Sequence, residues 1–392
     1  MKSRLTICCV ILALAATCAA AEQMTLTVTN PADTAVTNPV ITIPASQIGY
    51  DLPARTMTAV MPDGTKIPAQ LDDLNGDGIA DEFSLVVAAD KPYILQPAER
   101  VDVTVHLETP WEGASFADAR ESWRFDRYAA LDCTEIAYGL YGEYGPGEFA
   151  KGLQWDCYAK RPSMKGLCLD DLTDVNYHNE NPVAVDILLV GNSFGLGGLI
   201  MGDTRPLHGE NATYTQTVVA DGPVRGCLRV DVEDFTTLGG MYDMTIFYSL
   251  YAHNWFIDAR VHVAPSGPAD EMLGVGMRKY GEVSEFLADE SAGILAQWGN
   301  QDGIIGEAGL AVLFQPQQFE EFSWRGGDDD GYVVHLTPSA QGKSDLVHNF
   351  RLVQIWSEDT TFADAPVADH FMSHIKSMAA TFNTPPVVSC SR

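Results

Sequence analysis

The sequence predicts an all-β protein: a large antiparallel β-supersandwich preceded by a small β-domain, with one C-terminal helix. Three observations predict it. Short runs that alternate apolar and polar residues, or are rich in β-branched ones, recur along the chain, which is the pattern of strands with one buried face. Turn-forming clusters such as Asp63-Gly64, Asp221-Gly222-Pro223 and Gly326-Gly327 separate them, and short polar connections join antiparallel neighbours. Helical periodicity is convincing in one place only, near the C-terminus, so no strand–helix alternation supports a parallel sheet.

The chain opens with an expected targeting segment. Lys2 and Arg4 precede an apolar run from Leu5 to Ala16, and Ala19, Ala20 and Ala21 supply the small residues of a cleavage site. The run is too short to span a bilayer, so residues 1–21 are expected to be a secretory signal peptide and the protein to be periplasmic or secreted. Cys18 raises a lipoprotein signal, which Thr17 before it fits poorly. Residues 22–110 are expected to form the small β-domain, with strands at Thr25–Thr29, Val40–Pro44, Phe83–Ala88 and Val101–Leu107. A break at Thr109-Pro110-Trp111 hands over to the sandwich, residues 111–392.

The sandwich strands are expected at Ala184–Val190, Tyr214–Ala220, Val224–Val232, Met244–Tyr251, Phe256–Val263, Leu310–Phe314, Tyr332–Leu336 and Phe350–Trp356. The helix comes last. Asp364 caps it, Pro366 sits near its first turn where a missing N–H costs little, and Val367, Phe371, Ile375, Met378 and Phe382 form one apolar stripe. His370 and His374 lie one turn apart beside that stripe. This is the spacing of two metal ligands, and a flanking, solvated pair is the simpler expectation.

Composition excludes several classes of function. The 392 residues are 46% hydrophobic and 20% charged, which rules out disorder, collagen and coiled coil. With 24 Lys+Arg against 53 Asp+Glu the net charge is −29, so neither nucleic acid nor an anionic membrane surface is an expected partner. No apolar stretch after the signal is long enough for a membrane span. Cys8, Cys9 and Cys18 leave with the signal, while Cys133, Cys157, Cys168, Cys227 and Cys390 remain. That odd number implies a free thiol or an intermolecular bond, and Cys157 and Cys168 are near enough in sequence to bridge a loop.

Three motifs could carry chemistry. The run Asp72-Asp73-Leu74-Asn75-Gly76-Asp77-Gly78-Ile79-Ala80-Asp81-Glu82 sets oxygen ligands at alternating positions around glycine turns, which suits calcium. Asp73, Asn75, Asp77 and Asp81 are the expected ligands of a structural ion. An EF-hand would end in a bidentate acid where Ser84 and Leu85 stand, so the form is nearer to calcium loops that join β-strands. No organic cofactor is expected. The second motif, Gly191-Asn192-Ser193-Phe194-Gly195, matches a hydrolase nucleophile elbow. The Leu196-Gly197-Gly198 that follows encodes a helix badly, so a glycine-rich hairpin is expected instead. The third is a concentration of aromatic and basic groups: Trp155, Tyr158, Lys160, Arg161, Tyr177, His178, Arg205, His208, Tyr242, Tyr248 and His253. Aromatic faces stack on sugar rings, guanidinium forks bind carboxylates, and a His beside a Tyr is acid–base equipment.

At these residues the chain resembles an uncharacterised domain family of bacterial polysaccharide-utilisation loci, which includes ulvan oligosaccharide dehydratase-like proteins. The resemblance rests on the run from Asp72 to Glu82, on Trp123 with Asp126-Arg127, and on Gly152-Leu153 through Trp155 to Lys160-Arg161. It continues through Tyr177-His178, the glycines from Gly191 to Gly198, and Gly222-Pro223-Val224-Arg225. Members often carry an acid shortly after the histidine, where this chain has Asn179-Glu180-Asn181. The resemblance implies a sandwich similar to galactose mutarotases and work on acidic oligosaccharides.

Together these readings predict an exported enzyme that performs β-elimination on uronate-containing oligosaccharides, as a polysaccharide lyase or an oligosaccharide dehydratase. His178 is the expected base, and Tyr177 or Tyr242 the acid. Lys160, Arg161 and Arg205 would hold the carboxylate, with Trp155, Tyr158, His208 and His253 completing the substrate site. The alternatives are a mutarotase-like epimerase on neutral sugars, a non-catalytic glycan-binding protein and, more distantly, a serine hydrolase.

Overall fold

The computed structural model describes residues 23–48, 51–88, 91–123, 128–141, 153–173, 181–206, 211–265, 271–301, 303, 305–327, 330–337, 339–340, 346–363 and 366–391. Strands dominate them, as predicted, and all the pairings among the named strands are antiparallel. The first sheet has seven strands, in the order Val387–Ser391, Gln23–Thr29, Arg100–His106, Arg55–Val60, Lys66–Asp72, Glu82–Val86 and Val40–Pro44. Its period-2 pattern buries Met24, Leu26 and Val28 on one side of the second of these strands. These residues share an apolar cluster with Val101, Val103, Phe83 and Leu85. The strand Val387–Ser391 returns from the far end of the chain to edge this sheet, so the first sheet is not made from residues 22–110 alone.

Two nine-stranded sheets make the sandwich. One runs Phe319–Arg325, Gly331–Leu336, Leu273–Arg278, Leu196–Met201, Trp155–Ala159, Ile136–Tyr141, Tyr128–Cys133 and Ala117–Arg120, with Val185–Asp186 paired beside Trp155–Ala159. The other runs Thr213–Asp221, Arg225–Thr236, Met241–Tyr251, Phe256–Pro265, Leu346–Trp356, Ala308–Phe314, Ile294–Asn300 and Glu282–Asp289, with Ser339–Ala340 off the path. Their inner faces meet over one continuous core that contains Trp155, Tyr158, Leu228, Tyr248, Val261 and Leu352. Burial of this kind is the main stabilising term for such a fold.

The helix spans Ala368–Asn383 and lies on the outer face of the second nine-stranded sheet. Phe371, Ile375 and Met378 are buried there, with Phe371 5.5 Å from Trp298 and close over Gly309. Val367 is the N-cap rather than part of the stripe and is exposed; Asp364 lies outside the described residues. His370 is exposed, but His374 is not the solvated partner expected: its Nε2 is shut away from solvent. The five described cysteines are free thiols, four of them buried, so Cys157 and Cys168 do not bridge a loop. Among the described residues no helix is long and apolar enough to cross a membrane.

Candidate functional site

The outer face of the second nine-stranded sheet carries a polar strip over three consecutive strands, Arg225–Thr236, Met241–Tyr251 and Phe256–Pro265. Alternation decides which side chains appear there. Leu228, Val230, Ile246, Tyr248, Ala259 and Val261 point into the sandwich core, so their neighbours face outward. Cross-strand register then aligns two rows: Arg229, Phe247 and Arg260 in one, Asp231, Thr245 and His262 in the next. The loop Asp73–Asp81 of the first sheet stands opposite. Together they enclose a cleft of 450 Å³ lined by Leu74, Asn75, Asp81, Phe247, Arg260 and His262. It adjoins a second hollow of 330 Å³, with Leu74, Asn75 and Arg229 lining both.

Ion pairs fix the floor and hold the first sheet against it. Arg225 reaches Asp72 at 2.5 Å and Glu82 at 2.7 Å, and Arg260 reaches the other Glu82 oxygen at 2.7 Å. Gln70 donates to Asp72 and to the Arg225 carbonyl, closing the buried side of the junction. Burial alone would raise the Glu82 carboxyl, but the Arg225 and Arg260 guanidinia outweigh it and hold it below its ordinary value. Arg229 pairs with Asp231 at 2.9 Å, and Thr245 donates to Asp231 at 2.8 Å. The Arg260 guanidinium lies 5.0 Å from the Phe247 ring centre, and the His262 ring meets Phe247 edge-on at 6.2 Å. Arg260 Nε–H is shielded from solvent and has no partner in the protein.

The acidic loop is closed by its own amides. Asp73 accepts from the Gly76 and Gly78 N–H groups, Asn75 from Asp77, and Asp77 from Ile79. Asp81 accepts from Leu74, Asn75 and the Asn75 side-chain amide. Gly76 and Gly78 sit at φ of 80° and 89°, backbone that favours glycine. Among the described residues no group of three or more His, Cys, Asp or Glu is arranged to hold a metal ion. A calcium ion at Asp73, Asn75, Asp77 and Asp81 would use the lone pairs that these amides leave open.

The residues singled out in the sequence do not gather around this cleft. Trp155 is fully buried in the sandwich core, edge-on to Tyr248 at 5.1 Å, so it presents no face to a sugar. Tyr158 is buried and donates to Asp156 at 2.9 Å. The Lys160 ammonium is enclosed and gives its three hydrogens to Asp132, the Cys133 carbonyl and the Gly166 carbonyl. It keeps no donor for a substrate carboxylate. Arg161 pairs with Glu358 at 2.6 Å and lies over Trp356. Arg205 is buried over Phe194 and donates to Gln154, Asn192 and Ser193.

Tyr242 points into the core beside Phe235 and donates to Glu271 at 3.0 Å; burial and that carboxylate both raise its phenol. The expected role for Tyr242 as an acid therefore lacks a site around it. His253, at φ 58°, sits between Phe116, Thr134 and Glu135. Ser193 closes a turn, donating to the Val190 carbonyl and accepting from Gly195, and strand Leu196–Met201 follows instead of a helix. Tyr177, His178 and His208 lie outside the described residues. Sequence reasoning missed Arg229, Phe247, Arg260 and His262, although each occupies a polar or exposed step in a strand whose alternate residues are apolar.

Among solved structures, a protein in the glycosyl hydrolase family 38 from Enterococcus faecalis is similar in fold, with a TM-score of 0.50 and 9% identity. The superposition covers 94% of this chain and 47% of that one, so this chain spans about half its length. No curated protein matches the sequence. Over residues 28–123 and 131–388, nearly the whole of its folded part, the chain matches and belongs to the family described as a domain of unknown function, DUF4861.

Proposed function

We propose that the protein is an exported carbohydrate-active enzyme that performs β-elimination at a uronate residue of an acidic oligosaccharide, with the cleft over Phe247 as its site. The observation that carries this is the row Arg229–Phe247–Arg260 on the cleft floor. A phenyl face stacks on a sugar ring, and guanidinia on either side match a ring carboxylate. The Arg260 side chain is 38% exposed, and Glu82 takes only its Nη1.

The chemistry assigns the remaining roles. A base removes the proton from the carbon next to the carboxylate, and the electron pair left behind spreads into that carboxylate, where Arg229 and Arg260 stabilise it. The pair then forms the new carbon–carbon double bond as the neighbouring carbon–oxygen bond breaks, and the departing oxygen takes a proton. If that oxygen belongs to a glycosidic bond the enzyme is a lyase; if it is a hydroxyl at a chain end, a dehydratase. An imidazole suits the base near neutral pH. His262 on the cleft floor and His178, beside the candidate acid Tyr177, are the two candidates.

The test is direct. Purified protein is incubated with ulvan, glucuronan, pectin and alginate fragments while ultraviolet absorbance follows the unsaturated product. A rise is expected with one of these substrates, lost in Arg260→Met and in one of His262→Ala or His178→Ala. A flat trace across all four overturns the proposal. Binding without product would support a glycan-binding protein. A calcium titration followed by thermal unfolding reads the loop separately: a raised Tm, lost in Asp73→Ala, would assign it a structural ion. Export is checked by N-terminal sequencing, which should begin after Ala21.

A further inference from the structure

A second enclosed space lies away from the cleft, where the first sheet, the second nine-stranded sheet and the C-terminal helix meet. It measures 480 Å³, within the range of about 300–1,000 Å³ typical of small-molecule sites. Its polar groups define what it accepts. Arg351 is the guanidinium on its wall, and its Nε and Nη2 donate to the two Asp258 oxygens, at 2.6 and 2.9 Å. The same guanidinium is sandwiched against Phe256 at 3.6 Å and Phe382 at 5.2 Å. The two charges balance each other, so an ionic ligand would bring an uncompensated charge and its desolvation cost into the cavity.

Neutral hydrogen-bonding groups remain. His374 lines the cavity from the helix, packed edge-on to Phe362 at 4.7 Å, and its buried Nε2 has no partner in the protein. Burial pushes the imidazole down to about 4, so near neutral pH it is uncharged and offers a neutral donor or acceptor. Opposite, Thr42 and Tyr251 meet only loosely, hydroxyl to hydroxyl at 3.4 Å. A purely apolar ligand would leave the His374 Nε2 unsatisfied and the two hydroxyls with only each other. A hydroxyl-rich ligand satisfies them, and its C–H faces find the rings of Tyr251 and Phe256.

We propose that this cavity is a second ligand site, selective for a neutral, hydroxyl-rich sugar unit. It shares no lining residue with the cleft and does not depend on elimination chemistry there.

The full chain, labelled with ¹⁵N-histidine, is titrated with glucose, galactose, mannose, xylose and cellobiose, with glucuronate and glucosamine as charged controls. At least one neutral sugar is expected to shift the His374 ring resonances to saturation, while both charged controls bind at least about tenfold more weakly. His374→Leu is expected to weaken binding about tenfold, the effect of losing one hydrogen bond from a buried site. Arg260→Met and His262→Ala are expected to leave the affinity unchanged. The proposal is overturned if no neutral sugar moves the His374 signals, if glucuronate binds as well as glucose, or if the cleft variants abolish the shift. Should His374→Leu not fold, the wild-type ring titration decides alone. A flat ultraviolet trace with the His374 shift intact would sink the cleft reading and leave this one standing.

Discussion

Replacing Lys160 with Met separates a structural cation from a substrate-binding one. The Lys160 and Asp132 side chains are both 0% exposed and meet at 2.5 Å. Burial would pull the ammonium down, but Asp132 more than offsets this and keeps it charged. In Lys160→Met, Asp132 retains the Cys168 N–H at 2.6 Å, and the Cys133 and Gly166 carbonyls each lose the ammonium. Removing one partner of a buried ion pair costs about 3–5 kcal/mol, and two orphaned acceptors place this change at the upper end. The measurement is urea unfolding followed by circular dichroism: the midpoint should fall with little change in slope. The double change Lys160→Met with Asp132→Leu should recover most of the loss, because it leaves no buried charge. If Lys160→Met unfolds within about 1 kcal/mol of the parent and instead abolishes uronate binding, the structural assignment is wrong and Lys160 holds substrate.

Three further outcomes follow from the same coordinates. Glu135 is buried, yet His253, Lys165 and Thr134 hold its carboxyl at about 2 against an ordinary 4.5. A depressed acid stabilises above its unfolded value and loses that contribution as pH falls. Stability should therefore drop by about 3 kcal/mol between roughly pH 5 and pH 2, and Glu135→Gln should flatten that part of a Tm–pH curve. Gly309→Ala would set a Cβ 2.5 Å from the Phe371 ring, which is fully buried beside Trp298. Thermal unfolding should report a loss of about 1–3 kcal/mol from overpacking. Arg225→Met strands Asp72 and loosens the first sheet, so limited proteolysis should cut within residues 23–107 sooner than in the sandwich, and equal cutting rates would contradict this.

Much of the fold was legible because most strands bury one face and expose the other. Arg225–Thr236, Met241–Tyr251 and Phe256–Pro265 were each found within a few residues, since their outer steps are polar. Strands that lack this contrast escaped. Trp155–Ala159 is buried on both faces and shows no alternation, and Lys66–Asp72 carries a proline inside an almost wholly buried run. The candidate site was less legible. Trp155, Tyr158 and Lys160 look like a sugar-binding patch as letters, but composition does not say which groups are already paired. Arg229, Phe247 and Arg260 lay scattered in the sequence, and only the cross-strand register brings them together. The helix was legible through its stripe, whereas the unpartnered Nε2 of His374 depends on what packs against the next turn.

If the cleft takes an acidic sugar as proposed, the shortage of cations shapes how it does so. With 24 basic residues against 53 acids, guanidinia near the cleft are met by carboxylates of the protein itself: Arg229 by Asp231, Arg260 and Arg225 by Glu82. Long-range attraction cannot recruit the substrate, because the surrounding field repels it. At physiological salt that field fades over about 8 Å, so contact energies inside the cleft decide the outcome. There a uronate carboxylate would meet Arg260 through an arm that Glu82 leaves open, and Arg229 only by sharing or displacing Asp231. Such an exchange stabilises a bound carboxylate weakly. It gains strength when negative charge builds on that carboxylate as the neighbouring proton leaves, which is the distribution of binding energy that favours turnover over tight capture.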